Sequence, residues 1–195
     1  MMIPFRLLAV AAGFAALVVL PGSARAEIKA ELAANYIRHL FDTSMRENAN
    51  AAALCPSIAQ FGRFAAGHAW RLLPPSERPR LADGFCNLAV DAVTRLHLTY
   101  PGLRLKLDRT LPAAQGMVLV SSSVTRPTDL ATWPVEWQLA TTGADLRLAD
   151  LRILGLSLGI FLRSLANAGT TADSASADVI LARWRQALDR ALPPK

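Results

Sequence analysis

At Tyr100-Pro101-Gly102 the apolar residues of this chain change their period, and that switch limits the folds open to it. Before it, Ile28, Leu32, Tyr36, Ile37, Leu40, Phe41 and Met45 recur every three or four residues, which gathers them on one helical face. A second helix is expected from about Cys55 to Trp70, carrying Ile58, Phe61, Phe64 and Ala65. The prolines of Leu73-Pro74-Pro75 break the pattern, and Ser76 or a neighbour is expected to cap a third helix. Its stripe is Leu81, Phe85, Leu88, Ala89, Ala92, Val93 and Leu96. After Gly102, Leu103, Leu105 and Leu107 alternate with Arg104, Lys106 and Asp108, as in a strand with one buried and one wet face. Further strands are expected at about 116–125, 133–141 and 146–153, with Trp133, Val135, Trp137 and Leu139 on one face. Their short links require antiparallel hairpins, since a parallel pair needs a crossover of about a dozen residues or more. The apolar parity of the last strand shifts between Leu146/Leu148 and Leu151/Ile153, which predicts a bulge near Ala149-Asp150. Helical spacing then returns through Leu158, Phe161, Leu162 and Leu165, and Gly169 stops it. A polar linker, Thr170 to Ser176, leads to a last helix with Ile180, Trp184, Leu188 and Ala191. The fold class is α+β: a helical N-terminal half packed on a curved antiparallel sheet of about four strands, with C-terminal helices.

The first 26 residues read differently. Arg6 precedes an uncharged apolar run, Leu7 to Leu20, then the helix-breaking Pro21-Gly22, then Ala24-Arg25-Ala26, a small-x-small site for a signal peptidase. Residues 1–26 are therefore expected to be a secretory signal, cleaved after Ala26, and 27–195 a single domain. The run is shorter than the ~20 residues of a spanning helix, and no Cys follows for lipid attachment. The whole chain carries a net charge of +6. Removing Arg6 and Arg25 leaves 19 basic residues against 15 acidic ones. Export makes an anionic membrane surface or lipid headgroup the available partner for that excess. No nucleic acid is expected, because the arginines are dispersed and lack interleaved aromatics. The two cysteines, Cys55 and Cys86, are compatible with a disulfide in an oxidising compartment or with two buried thiols. Neither has a second Cys or a His at ligand spacing, so no metal is expected.

Residues 155–159, Gly-Leu-Ser-Leu-Gly, spell the G-x-S-x-G of a hydrolase nucleophile elbow. The triad order of that motif is Ser, then an acid, then His, but His39, His68 and His97 all precede Ser157. An elbow also belongs to a mostly parallel sheet, and the strands here are joined by hairpins. Ser157 is accordingly read as structural, and no catalytic residue is assigned. Asp91 and Arg95, at i,i+4 spacing, read as a solvated ion pair.

Three segments carry a family resemblance: "GMVLVSSSVTRP", "PVEWQL" and "LRLADLRILGLSLGIFLRSLANAG". They resemble the V-x-S-x-V, P-V-x-V-x-Y-x-L and D-V-x-I-x-G-V-S-L elements of the MlaC, or toluene-tolerance (Ttg2), family of periplasmic phospholipid-binding proteins. Asp150, Ile153, Gly155, Ser157, Leu158 and Arg163 fall on the last of these. Upstream, Gly67, Trp70, Arg71 and Phe85 match a G-x-x-W-R … F element. The resemblance spans roughly residues 55–190. It is that of a divergent member: Leu146 and Ala149 replace an aromatic pair before the matched Asp, and Leu162 and Ser164-Leu165 replace a Tyr and a Gln-Phe around the matched Arg. In such a protein Gly155 permits a tight strand exit and the Ser157 hydroxyl caps the helix that follows.

The resemblance implies a carrier that holds the acyl chains of a phospholipid, or of a hopanoid-related lipid, in an apolar cavity between sheet and helices, with no cofactor. Its implied partners are an MCE-type ABC transporter of the inner membrane and an outer-membrane lipoprotein-porin complex. On this reading Leu119, Val135, Trp137, Leu139, Ile153 and Leu158 line the cavity from the sheet side, and Tyr36, Leu40 and Val93 face them. Arg104, Lys106 or Arg163 would meet the phosphate, Arg163 alternatively being tied to Asp150. Two other readings stay open. One is a small exported enzyme of NTF2-like shape, the outline that helices on a curved sheet also suggest here. The other is a structural envelope protein with a filled core.

Overall fold

A computed structural model describes residues 21–45, 51–113, 116–142 and 145–192. The hydrophobic run before Pro21 lies outside the described residues. Helix α1, Pro21–Ser44, runs through the expected cleavage position, and Pro21 opens the helix rather than breaking it. Proline is tolerated there because the first-turn amide has no intrahelical acceptor to lose.

The second expected helix is two helices, α2 (Ala51–Ala66) and the single-turn α3 (His68–Leu72). Gly67 separates them at φ 57°, and a Cβ there would stand 2.7 Å from the Arg163 side chain, so both backbone and packing exclude a larger residue. Helix α4, Glu77–Thr99, follows. Ser76 sits in helical geometry and makes no side-chain cap. The neighbouring Glu77 instead accepts a hydrogen bond from the Ala177 amide at 3.0 Å, capping a helix 100 residues away.

Four antiparallel strands come next: β1 (Arg104–Pro112), β2 (Met117–Thr125), β3 (Thr132–Thr142) and β4 (Asp145–Ile153). A fifth, the two-residue β5 (Leu156–Ser157), folds back on β4 through Leu154-Gly155, giving the spatial order β1-β2-β3-β4-β5. Alternation could not reveal so short a strand. The expected bulge is present: Leu148 pairs with Leu139 and Asp150 with Gln138, so Ala149 is the extra residue. Helices α5 (Leu158–Asn167) and α6 (Ala177–Ala191) close the chain.

One sheet face is buried beneath the helices. Its rows are Val118, Val120, Ser122 and Val124 on β2, Val135, Trp137 and Leu139 on β3, and Leu148 on β4. Helix α1 lies on β1 and β2, α2 on β4, and α4 joins α2 to α6. The Trp137 indole donates to the Ser122 hydroxyl at 2.8 Å, which donates to the Val135 carbonyl at 3.1 Å. That chain satisfies the one hydroxyl in the buried β2 row, as a polar group out of water requires.

Cys55 and Cys86 form a disulfide that joins α2 to α4. Arg95, only 7 % exposed, bonds Asp91 at 2.8 Å and Asp189 at 2.6 Å, and Arg185 shares Asp91. The expected solvated pair is therefore the buried lock between α4 and α6. Its partners on α6 lie more than 90 residues away in sequence, beyond the reach of i,i+4 reasoning.

Candidate lipid site

Helices α1 and α2 cover different parts of the sheet, and the gap between them opens at the flank of β4. Tyr36 of α1 donates to the Ser57 carbonyl of α2 at 3.3 Å, and Arg147 of β4 donates to the Pro56 carbonyl at 2.6 Å. These bonds tie α2 to both walls of an open cleft of about 520 Å³, lined by Leu32, Asn35, Tyr36 and His39 of α1 and Asp145, Leu146 and Arg147 of β4. Its volume falls in the range of ligand sites, ~300 to 1,000 Å³. The leucines, the tyrosine ring and the arginine stem make the walls apolar, while the rim carries the Arg147 guanidinium paired with the Asp145 carboxylate at 3.4 Å. Apolar walls below a charged rim suit an amphiphile.

The residues expected to line a cavity are distributed over three environments. Tyr36 stands in the cleft. Leu40, Val135, Trp137 and Leu139 are buried in the core, Val135 opposite Ile153 at the end of β4 away from the cleft, and Leu158 packs half-buried against that core. Three others depart from expectation. Leu119 pairs with Gln138 on the sheet face opposite the buried row, because Met117-Val118-Leu119-Val120 is apolar at every position and alternation could not fix its phase. Ile153, at the end of β4, is 42 % exposed. Val93 is half-buried on α4 and lies outside the core cluster. Among the described residues, Leu32, Asn35, His39, Asp145, Leu146 and Arg147 form the cleft with Tyr36, and none of the six was assigned to it from the sequence. The signal was thin, since the cleft arises from a gap between elements and from no motif.

The polar candidates also separate. Arg163 is not tied to Asp150: it donates from Nε and Nη2 to the Phe64 carbonyl at 3.1 and 2.8 Å and stacks 4.0 Å over the Phe64 ring. Asp150, 3 % exposed, accepts from the Ser157 hydroxyl at 2.6 Å and from the Gly159 and Leu151 amides at 3.0 and 2.8 Å. The Ser157 oxygen in turn accepts from the Ile160 amide at 3.0 Å, as an N-cap does. Ser157 and Asp150 thus anchor the start of α5. Gly159 belongs to the same device, since a Cβ there would meet Phe64 at 2.5 Å. Arg104 and Lys106 are exposed on β1, the edge strand far from the cleft, and Lys106 pairs with Asp108 at 3.6 Å.

A helix-covered, open antiparallel sheet with an apolar cleft at its flank and a charged rim defines a class of small amphiphile-binding folds. The model of the MlaC protein family matches residues 24–186, and the chain belongs to that family. Among solved structures it is similar to the phospholipid-binding protein of Ralstonia solanacearum, determined in complex with a phospholipid. The two share 13 % identity and superpose with a TM-score of 0.59 over 79 % of this chain and 95 % of the other. No curated protein matches the chain.

Proposed function

We propose that this protein is a periplasmic phospholipid carrier, its signal peptide removed after Ala26. It holds acyl chains between α1 and the sheet and passes lipid between an inner-membrane MCE-type ABC transporter and an outer-membrane lipoprotein-porin complex, so maintaining outer-membrane lipid asymmetry. Family membership and the fold shared with a phospholipid-bound protein support the reading, and the cleft between α1 and β4 carries it. Acyl chains entering there would meet Leu32 and Leu146 first and then the core leucines, with the headgroup left at the rim beside the Arg147–Asp145 pair, where it would compete with Asp145 for the guanidinium. Each methylene buried contributes ~0.8 kcal/mol, so partial burial of two tails suffices for tight holding. Carriage of this kind needs no catalytic group, no cofactor and no metal.

The test is native mass spectrometry of the protein purified from periplasm without detergent, followed by solvent extraction and lipid identification. A stoichiometric phospholipid is the expected result. Leu146→Trp, which fills the cleft mouth, should lower occupancy at least fivefold while leaving the far-ultraviolet circular dichroism unchanged. A bare polypeptide mass from folded wild-type protein would overturn the reading.

A further inference from the structure

Of the ten large apolar residues that are exposed among the described ones, six lie at one end of the sheet: Leu130, Ile153, Leu154, Leu156, Ile160 and Phe161. The register places them together. The β2–β3 turn carries Leu130, and the Leu154 amide donates to Pro134 at the start of β3. Leu156 pairs with Ile153, and the first turn of α5 follows at once. Leu154 and Leu156 are 61 % and 77 % exposed.

Two of these positions are strained. Leu130 and Leu154, at φ 58° and 54°, are the two non-glycine residues with positive φ among the described ones. Bulky side chains rarely occupy that region, and glycine or asparagine would relieve it. A chain that keeps leucine at both turns bears a backbone cost and exposes apolar surface at the same points. Strain of this sort collects where function requires a particular side chain.

Behind the leucines stands a polar-aromatic layer. The Arg126 guanidinium lies 5.2 Å from the Tyr100 ring centre and 5.4 Å from that of Trp133, and Asp129 pairs with its charge. Arg152, beside Ile153, is matched by Glu136 and Asp150 at 3.9 and 4.0 Å, whereas Arg104, exposed at the same end, enters no ion pair among the described residues. Hydrocarbon at the tips, then aromatic and guanidinium groups, then an unmatched cation reproduces the order of groups across the boundary of an anionic bilayer. The leucines project from separate turns rather than lining a groove, which favours a deformable lipid surface over a shaped protein partner.

We propose that this end of the sheet, led by Leu130, Leu154, Leu156 and Phe161, docks on the surface of an anionic lipid bilayer. Docking does not require the cleft to hold lipid; its use in lipid exchange rests on the carrier reading. The cleft opens at the Asp145 end of the same strand, eight residues and roughly 26 Å from Ile153, so a docked molecule holds it away from the bilayer.

The experiment is flotation of the full mature protein with vesicles of phosphatidylethanolamine and phosphatidylglycerol in a 3:1 ratio, about 25 % anionic, against phosphatidylcholine vesicles. Wild type is expected to float with the anionic vesicles and to be released by salt. Leu130→Gly with Leu154→Gly, which relieves the strained turns and so preserves the fold, should weaken binding at least tenfold. Leu156→Ser with Phe161→Ser should do the same, and Arg104→Glu should weaken binding most at low salt. Wild-type protein that stays with the supernatant, or either double variant binding as tightly as wild type, overturns the proposal. Native mass spectrometry of the same double variants reads the carrier function separately: bound lipid retained while vesicle binding is lost is the expected pair of results.

Discussion

Ser157 shows how a few atoms decide between two readings of one motif. Its hydroxyl donates to a buried carboxylate and its oxygen receives a helix amide, so both capacities of the group are used to fasten β4 to α5. Ser157→Ala removes the cap, worth ~1 kcal/mol, and leaves an Asp150 oxygen without its donor, a further ~1 to 3 kcal/mol. Urea unfolding should therefore show a loss of about 2 to 4 kcal/mol, and Ser157→Thr should recover most of it. The cap was legible because Ser before a helix has a single common role. The partner of Arg163 was not, since Gly67 and Phe64, against which it packs, lie about a hundred residues earlier.

At the scale of elements, the helical layer is fastened in two ways that respond to different conditions. The Cys55–Cys86 bond closes a loop of 31 residues between α2 and α4. In the chain-entropy model its removal by Cys55→Ser with Cys86→Ser costs roughly 3 to 4 kcal/mol, readable as a lower urea midpoint. The lock between α4 and α6 responds to acid. Burial raises the Asp91 carboxyl, but the hydrogen bond and charge of Arg95, with those of Arg185, outweigh it and hold Asp91 below its ordinary value of 3.8. A depressed carboxyl stabilises the fold fully above its unfolded value, and that contribution is lost as pH falls through the lower folded value. Thermal unfolding followed from pH 6 to pH 2.5 should show Tm falling less steeply in Asp91→Asn than in wild type, from a lower starting point. Periodicity located β2, β3 and β4 to within a residue at each end, because amphipathic faces are written locally, and set the start of α2 four residues late. It missed the division at Gly67, where a positive φ and an arginine stem from α5 impose the break.

Across the whole molecule, the cleft and the apolar tip occupy opposite ends of β4, so holding cargo and meeting a surface are separable tasks. Filling the cleft with Leu146→Trp should lower lipid occupancy without changing vesicle flotation, and the tip variants should do the reverse. Neither region was assembled from the sequence. The residues of the cleft come from α1 and β4, more than a hundred positions apart, and those of the tip from two turns and a helix start. The G-x-S-x-G segment is conspicuous for its serine, while Leu156 is what reaches the solvent.

The order of the strands has a consequence in time. Every strand pairs with its sequence neighbour, so the sheet can assemble as soon as residues 104–157 are available. The helices differ, because Arg95 waits for Asp189 and Glu77 for the amide of Ala177. Local contacts form fast and distant ones slowly, since the loop between them must first be closed. A chain made amino end first thus keeps the α6-facing surface of α4 uncovered until residues 177–191 emerge, and during that interval α4 presents its buried stripe to the surroundings of the nascent protein.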